Sequence, residues 1–124
     1  MKSSVRPLLL PLSLIILWVA GVGQAFSHAH LVSSVPEAND MAMPSPTELR
    51  LKFSEGIELK FTKVQLTGPD KKTVETGPAK LEDRSTLIVP LIGKLPDGTY
   101  TVDWKAVSVD GHKSLGHYTF ESMQ

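Results

Sequence analysis

Two short segments carry the chemistry available to this 124-residue chain. Near the start, Ser27-His28-Ala29-His30-Leu31 sets two imidazoles one residue apart, and far down the chain Asp110-Gly111-His112 sets a carboxylate two positions before another imidazole. If the chain is cut after Ser27, His28 becomes the first residue. Its α-amine and ring Nδ1 then form a chelate that needs no preorganised loop. An α-amine with a pKa of about 8 gives up its proton readily once a metal competes for the nitrogen. Amine, imidazole and carboxylate together are a donor set that suits Cu(II), so the expected metal ligands are His28, Asp110 and His112. His30 has two readings: it points outward at a strand start, or it completes an amine/amide/third-residue histidine chelate. His117, one residue after Gly116, reads either as a surface residue or as an additional ligand or supporting group.

Plainer and rival chemistries fit parts of the same pattern. An Asp-x-His in a loop is also an ordinary hydrogen-bonded turn, and imidazole suits zinc as well as copper, although copper wins at equal availability. A metal-free adhesion or assembly module would make no use of these side chains. An N-terminal histidine with a second histidine is also the brace of copper oxygenases, which need an open coordination position and a substrate face. Here Asp110 would fill that position, and aromatic residues for a polysaccharide platform are few. Glu55 and Glu58, around Gly56-Ile57, are expected on a solvated loop rather than as an acid/base pair. No nucleophile elbow or glycine-rich phosphate loop is present, and no enzymatic activity is expected. There is no cysteine, which removes thiolate copper and zinc sites.

The elements that must position these groups follow a leader. Lys2 and Arg6 precede an apolar run from Leu8 to Val22, and Ala25-Phe26-Ser27 is a small-x-small cleavage signal. The segment 1–27 therefore reads as a signal peptide and 28–124 as one exported domain. Cuts after Ala25 or Ala29 are the alternatives. Lys2 and Arg6 are the leader's share of the 13 basic residues, so 28–124 carries 11 basic against all 13 acidic residues. With no basic stripe in the sequence, nucleic acid is not an expected partner.

The rest of the chain is a series of short apolar alternations divided by Pro, Gly, Asn and Asp. Leu49, Leu51 and Phe53 share one face of a strand. Phe61 to Leu66 continues in extended fashion, closed by Gly68-Pro69-Asp70. Ser85 to Leu91 reads as a buried strand whose end Pro90 places at an edge. After a turn at Leu95-Pro96-Asp97-Gly98, Tyr100, Val102, Trp104 and Ala106 share the face of a long strand, and Tyr118 and Phe120 alternate in the last one. About seven short strands predict an antiparallel, all-β Greek-key sandwich or barrel. The Asp110-Gly111-His112 loop then lies at one end of the sheets, with Gly111 and Gly116 allowing tight backbone there.

The same residues carry a resemblance. His-Ala-His-Leu followed by Val-Ser-Ser-Val-Pro-Glu-Ala, then Leu49-Arg50-Leu51-Lys52-Phe53-Ser54-Glu55, and above all LPDGTYTVDWKAVSVDGHKSLGHYTF from Leu95 to Phe120 resemble the CopC (YobA-like) family of periplasmic copper-binding domains. The resemblance implies an immunoglobulin-like, cupredoxin-like fold that binds Cu(II) in the periplasm for copper resistance or homeostasis. It implies a site of N-terminal His28 with Asp110 and His112, and an inner-membrane copper-transport partner of the CopD type. Some members carry a methionine-rich Cu(I) loop; this chain lacks one and resembles a Cu(II)-only member. The tail Glu121-Ser122-Met123-Gln124 departs from the family pattern and is expected to end the last strand early. Were the cut after Ala29, His30 would replace His28 as the terminal ligand.

Overall fold

The computed structural model describes residues 28–124 and the dipeptide 3–4, so the expected leader and the cuts after Ala25 and Ser27 lie outside the described residues. Among the described residues, nine strands form two facing sheets. β1 (Leu31–Val35), β3 (Glu48–Phe53), β7 (Thr86–Pro90) and β6 (Lys80–Leu81) make one sheet in the order β1-β3-β7-β6. β2 (Met41–Ala42), β9 (Lys113–Ser122), β8 (Gly98–Val107), β4 (Lys63–Thr67) and β5 (Thr73–Val74) make the other, in the order β2-β9-β8-β4-β5. The expected sandwich is present, as two separate sheets rather than a closed barrel. The count exceeds seven because β2, β5 and β6 are two-residue strands, too short to show alternation.

Side-chain alternation explains the layers. Leu49, Leu51 and Phe53 of β3 are buried, and so are Tyr100, Val102, Trp104 and Ala106 of β8. Each set therefore faces the space between the sheets. Tyr118, Phe120 and Ser122 of β9 join them. Phe53 meets Trp104 edge to face across the sandwich, with ring centroids 5.3 Å apart, and Tyr100 stacks on Phe120 at 5.6 Å. β7 is flanked by β3 and β6, and Leu87, Ile88 and Val89 are all buried. Pro90 is its last residue, opposite Glu48, and its carbonyl accepts a 2.8 Å bond from the Gly77 N–H.

Three expectations change. Phe61 belongs to a 3-10 turn, Leu59–Phe61, so β4 begins only at Lys63. Gly116 lies within β9 and has no positive φ; it is needed because a Cβ there would meet the Trp104 indole at 2.3 Å. The tail does not end the last strand early, since β9 runs to Ser122, which is fully buried. Beyond it, Met123 N–H bonds to Ala42 O at 3.0 Å, and Gln124 bonds through its backbone to Asp97 at 2.8 Å and through its amide to Leu95 O at 2.7 Å. Among the described residues no helix is long and apolar enough to cross a membrane.

The sandwich also carries an alkaline liability. Burial pushes the Tyr118 hydroxyl up from 10.0 to about 12, a shift that Ser34 partly offsets. The folded state holds that proton more tightly than the unfolded chain. The contribution to stability is therefore complete below about pH 10 and is lost as pH rises toward about 12. Tyr118→Phe is expected to remove up to about 2 kcal/mol of that alkaline loss, read from urea melts across this pH range. The Tyr100 hydroxyl is raised in the same direction by burial and contributes a slope of the same sign.

Candidate metal centre

β8 and β9 form a hairpin in continuous register from Gly98↔Ser122 to Val107↔Lys113. Its tip is therefore as firmly placed as the sheet itself. Ser108 N–H bonds to His112 O at 2.9 Å and Gly111 N–H to Ser108 O at 2.8 Å, enclosing Val109-Asp110-Gly111 as a three-residue loop. Gly111 has φ +89, the left-handed position that such a loop requires after its turn. This gives Asp-Gly-His its spacing: the glycine returns the chain to the ladder, so Asp110 and His112 stand side by side.

Ser108 holds both of them. It is 1 % exposed; its hydroxyl donates to Asp110 Oδ1 and accepts from the His112 N–H at 3.2 Å. Asp110 Oδ2 lies 3.1 Å from His112 Nδ1. The Ser108 hydroxyl first, and His112 second, hold the Asp110 carboxyl below its usual range. The loop thus carries a carboxylate at neutral pH, set against an imidazole.

The N-terminal segment reaches the same end of the sandwich. Ala29 is fully buried in the core while His28 and His30 on either side are exposed. Ser54, just past β3, fastens this segment: it donates its N–H to His30 O at 2.8 Å and accepts the His30 N–H on Oγ at 2.9 Å. The outcome is ring contact between His28 and His112, edge to face, with centroids 5.3 Å apart.

The structure thus brings His28, Asp110 and His112 to one place, although no group of three or more His, Asp or Glu side chains among the described residues is arranged to hold a metal ion as it stands. Asp110 is turned onto the His112 ring. The His30 N–H is spent on Ser54. An amine/amide/third-residue chelate would need that amide nitrogen and would have to break the bond. His117 is on the outward face of β9 opposite Asp103, five residues along the strand from His112; at about 3.4 Å per residue that is roughly 17 Å away. Glu55 and Glu58 occupy the connection after β3, and Glu58 is exposed. Ser54 and Ser108 went unassigned in the sequence. Ser108, two residues before an aspartate in a turn, carried a local signal; Ser54 acts across 24 residues and carried none.

A family model described as CopC domain matches residues 31–122. Protein YobA of Escherichia coli strain K12 is 50% identical over 97 residues, 77% of this chain and 78% of that protein. Copper resistance protein C of Escherichia coli is 39% identical over 113 residues, 82% of this chain and 87% of that protein. Among solved structures, PcoC, a methionine-rich copper resistance protein from Escherichia coli, superposes with a TM-score of 0.71 at 36% identity, covering 78% of this chain and all of the other.

Removing the hydroxyl that organises the loop is expected to show in two readouts. Ser108→Ala should raise the Asp110 carboxyl toward its ordinary range, followed by NMR titration. It should also lower stability by about 1 kcal/mol, the scale of a lost hydrogen bond. An unchanged Asp110 titration would mean that Ser108 does not control the carboxylate.

Proposed function

The chain belongs to the CopC family, and on that premise we propose that it is an exported, non-enzymatic Cu(II)-binding protein of copper resistance or homeostasis, working in the periplasm. The observation that carries this reading is the ring contact between His28 and His112 at 5.3 Å, made by residues 84 positions apart. A pair of imidazoles gathered at a surface beside an ionised carboxylate offers a Cu(II) ion much of the donor set it favours.

In this reading the leader 1–27 is removed and His28 supplies its amine and ring Nδ1. His112 adds a third nitrogen. Asp110 adds negative charge and, by turning one oxygen off the His112 ring, a fourth donor. The burial of Ala29 supports the cut after Ser27 over one after Ala29, because the later cut discards a side chain that fills the core. His30 then orders the segment through its backbone, and His117 is outside the site. The names of the relatives, copper resistance protein C among them, support copper as the cargo. Delivery to an inner-membrane transporter of the CopD type is the partner step we assign.

The test is a Cu(II) titration of protein whose first residue is His28, against the same protein with one added N-terminal residue. The extension should weaken binding by roughly a hundredfold or more, equivalent to about 2.7 kcal/mol, and His112→Ala should do the same. Zn(II) should fail to displace Cu(II) at equal concentration. Equal Cu(II) affinity with and without the extension would remove the terminal amine from the site.

A further inference from the structure

On the side of the hairpin loop formed by Val109 and Gly111 lies a cleft of about 660 Å³ between the 3-10 turn Leu59–Phe61 and the β8–β9 tip. Its exposed apolar part is Phe61, 54% exposed and with the Lys60 ammonium 5.6 Å from its ring centroid, and Val109, 51% exposed, with buried Val107 also in the lining. Around these stand Lys60, Lys63, Lys105 and Lys113, against the single acid Glu58. The register sets Lys63 directly opposite Lys105, a like-charge pair that costs stability in a sheet. Among the described residues the salt bridges join Arg50 to Glu48 and Glu82, and His112 to Asp110, and none takes in these four lysines. A chain with more acidic than basic residues beyond its leader thus keeps four unneutralised ammonium groups around two exposed apolar side chains.

We propose that this cleft is a docking site for an acidic polypeptide segment of a partner protein, one that carries an aromatic or large aliphatic side chain flanked by carboxylates. The apolar side chain covers Phe61 and Val109, and the carboxylates relieve the repulsion among the lysines and set the orientation. Lysine stems add apolar area beneath their charges. The proposal rests on the copper reading only for its purpose: Val109 and Gly111 flank Asp110, so a segment seated here lies against the loop that holds the metal donors.

The experiment is run without metal, so failure of copper binding and failure of docking are separate results. The probe is a short synthetic peptide with glutamates on both sides of one phenylalanine, titrated by fluorescence anisotropy and by amide NMR. Binding should weaken as salt is raised, with shifts centred on Phe61, Val109 and Lys113. The double substitution Lys63→Glu with Lys113→Glu should weaken it about tenfold or more, as should Phe61→Ser, whereas Lys94→Glu should leave it unchanged. Circular dichroism checks the fold of each variant. Equal affinity in the charge-reversed variant overturns the proposal. So does equal affinity for a peptide lacking the phenylalanine, or capture by phosphatidylglycerol vesicles with none by the peptide.

Discussion

The burial of one methyl group governs where this protein's chemistry can happen. Ala29 is fully enclosed in the core between two exposed histidines. A methyl is worth only about 0.8 kcal/mol when buried, while fixing each residue's backbone costs roughly 1–2 kcal/mol. Burial alone therefore cannot hold the segment. The difference is made up by Ser54, which bonds to both the N–H and the carbonyl of His30 and so extends the pairing of β1 with β3 past its end. With Ala29 inward and His30 tied, His28 has little choice of position, and the position it takes is against His112.

The other half of the site depends on a different kind of rigidity. The β8–β9 hairpin is paired along ten residues of each strand, and its core face is locked by Trp104 lying over Gly116. Loop residues at the end of such a ladder inherit its order. The two halves make opposite uses of the tip. His112 meets His28 of the N-terminal segment and Asp110 turns onto the His112 ring, while Val109 and Gly111 line the lysine-edged cleft. The proposed metal donors and the proposed docking surface thus share a five-residue turn, Ser108 to His112, without sharing side chains.

Much of the scaffold was legible because its signals are local. The alternation of Leu49, Leu51 and Phe53, and of Tyr100, Val102, Trp104 and Ala106, announces which face is buried, and Asp-Gly announces the turn that carries His112. Other features depend on distant partners. Phe61 looks like the start of a strand until the Phe61 and Thr62 N–H groups are seen to bond back to Glu58 O. Gly116 looks like a loop glycine until Trp104 is placed over it. The tail Glu121 to Gln124 looks frayed because the groups that tie it, at Ala42, Leu95 and Asp97, are remote in sequence. The four cleft lysines are likewise scattered over 54 positions from Lys60 to Lys113; only the fold, through the 3-10 turn and the strand register, makes them neighbours.

The central claim is that the fold brings His28 to His112 before any metal arrives. Nuclear Overhauser effects between the two imidazole rings, recorded on metal-free protein that begins at His28, test it most directly. Cross-peaks between their ring protons, with His30 showing none to His112, are the expected result at a 5.3 Å centroid separation. A His28 ring that averages freely in solvent while Ala29 remains packed would contradict the account, because the metal rather than the fold would then be what assembles the site.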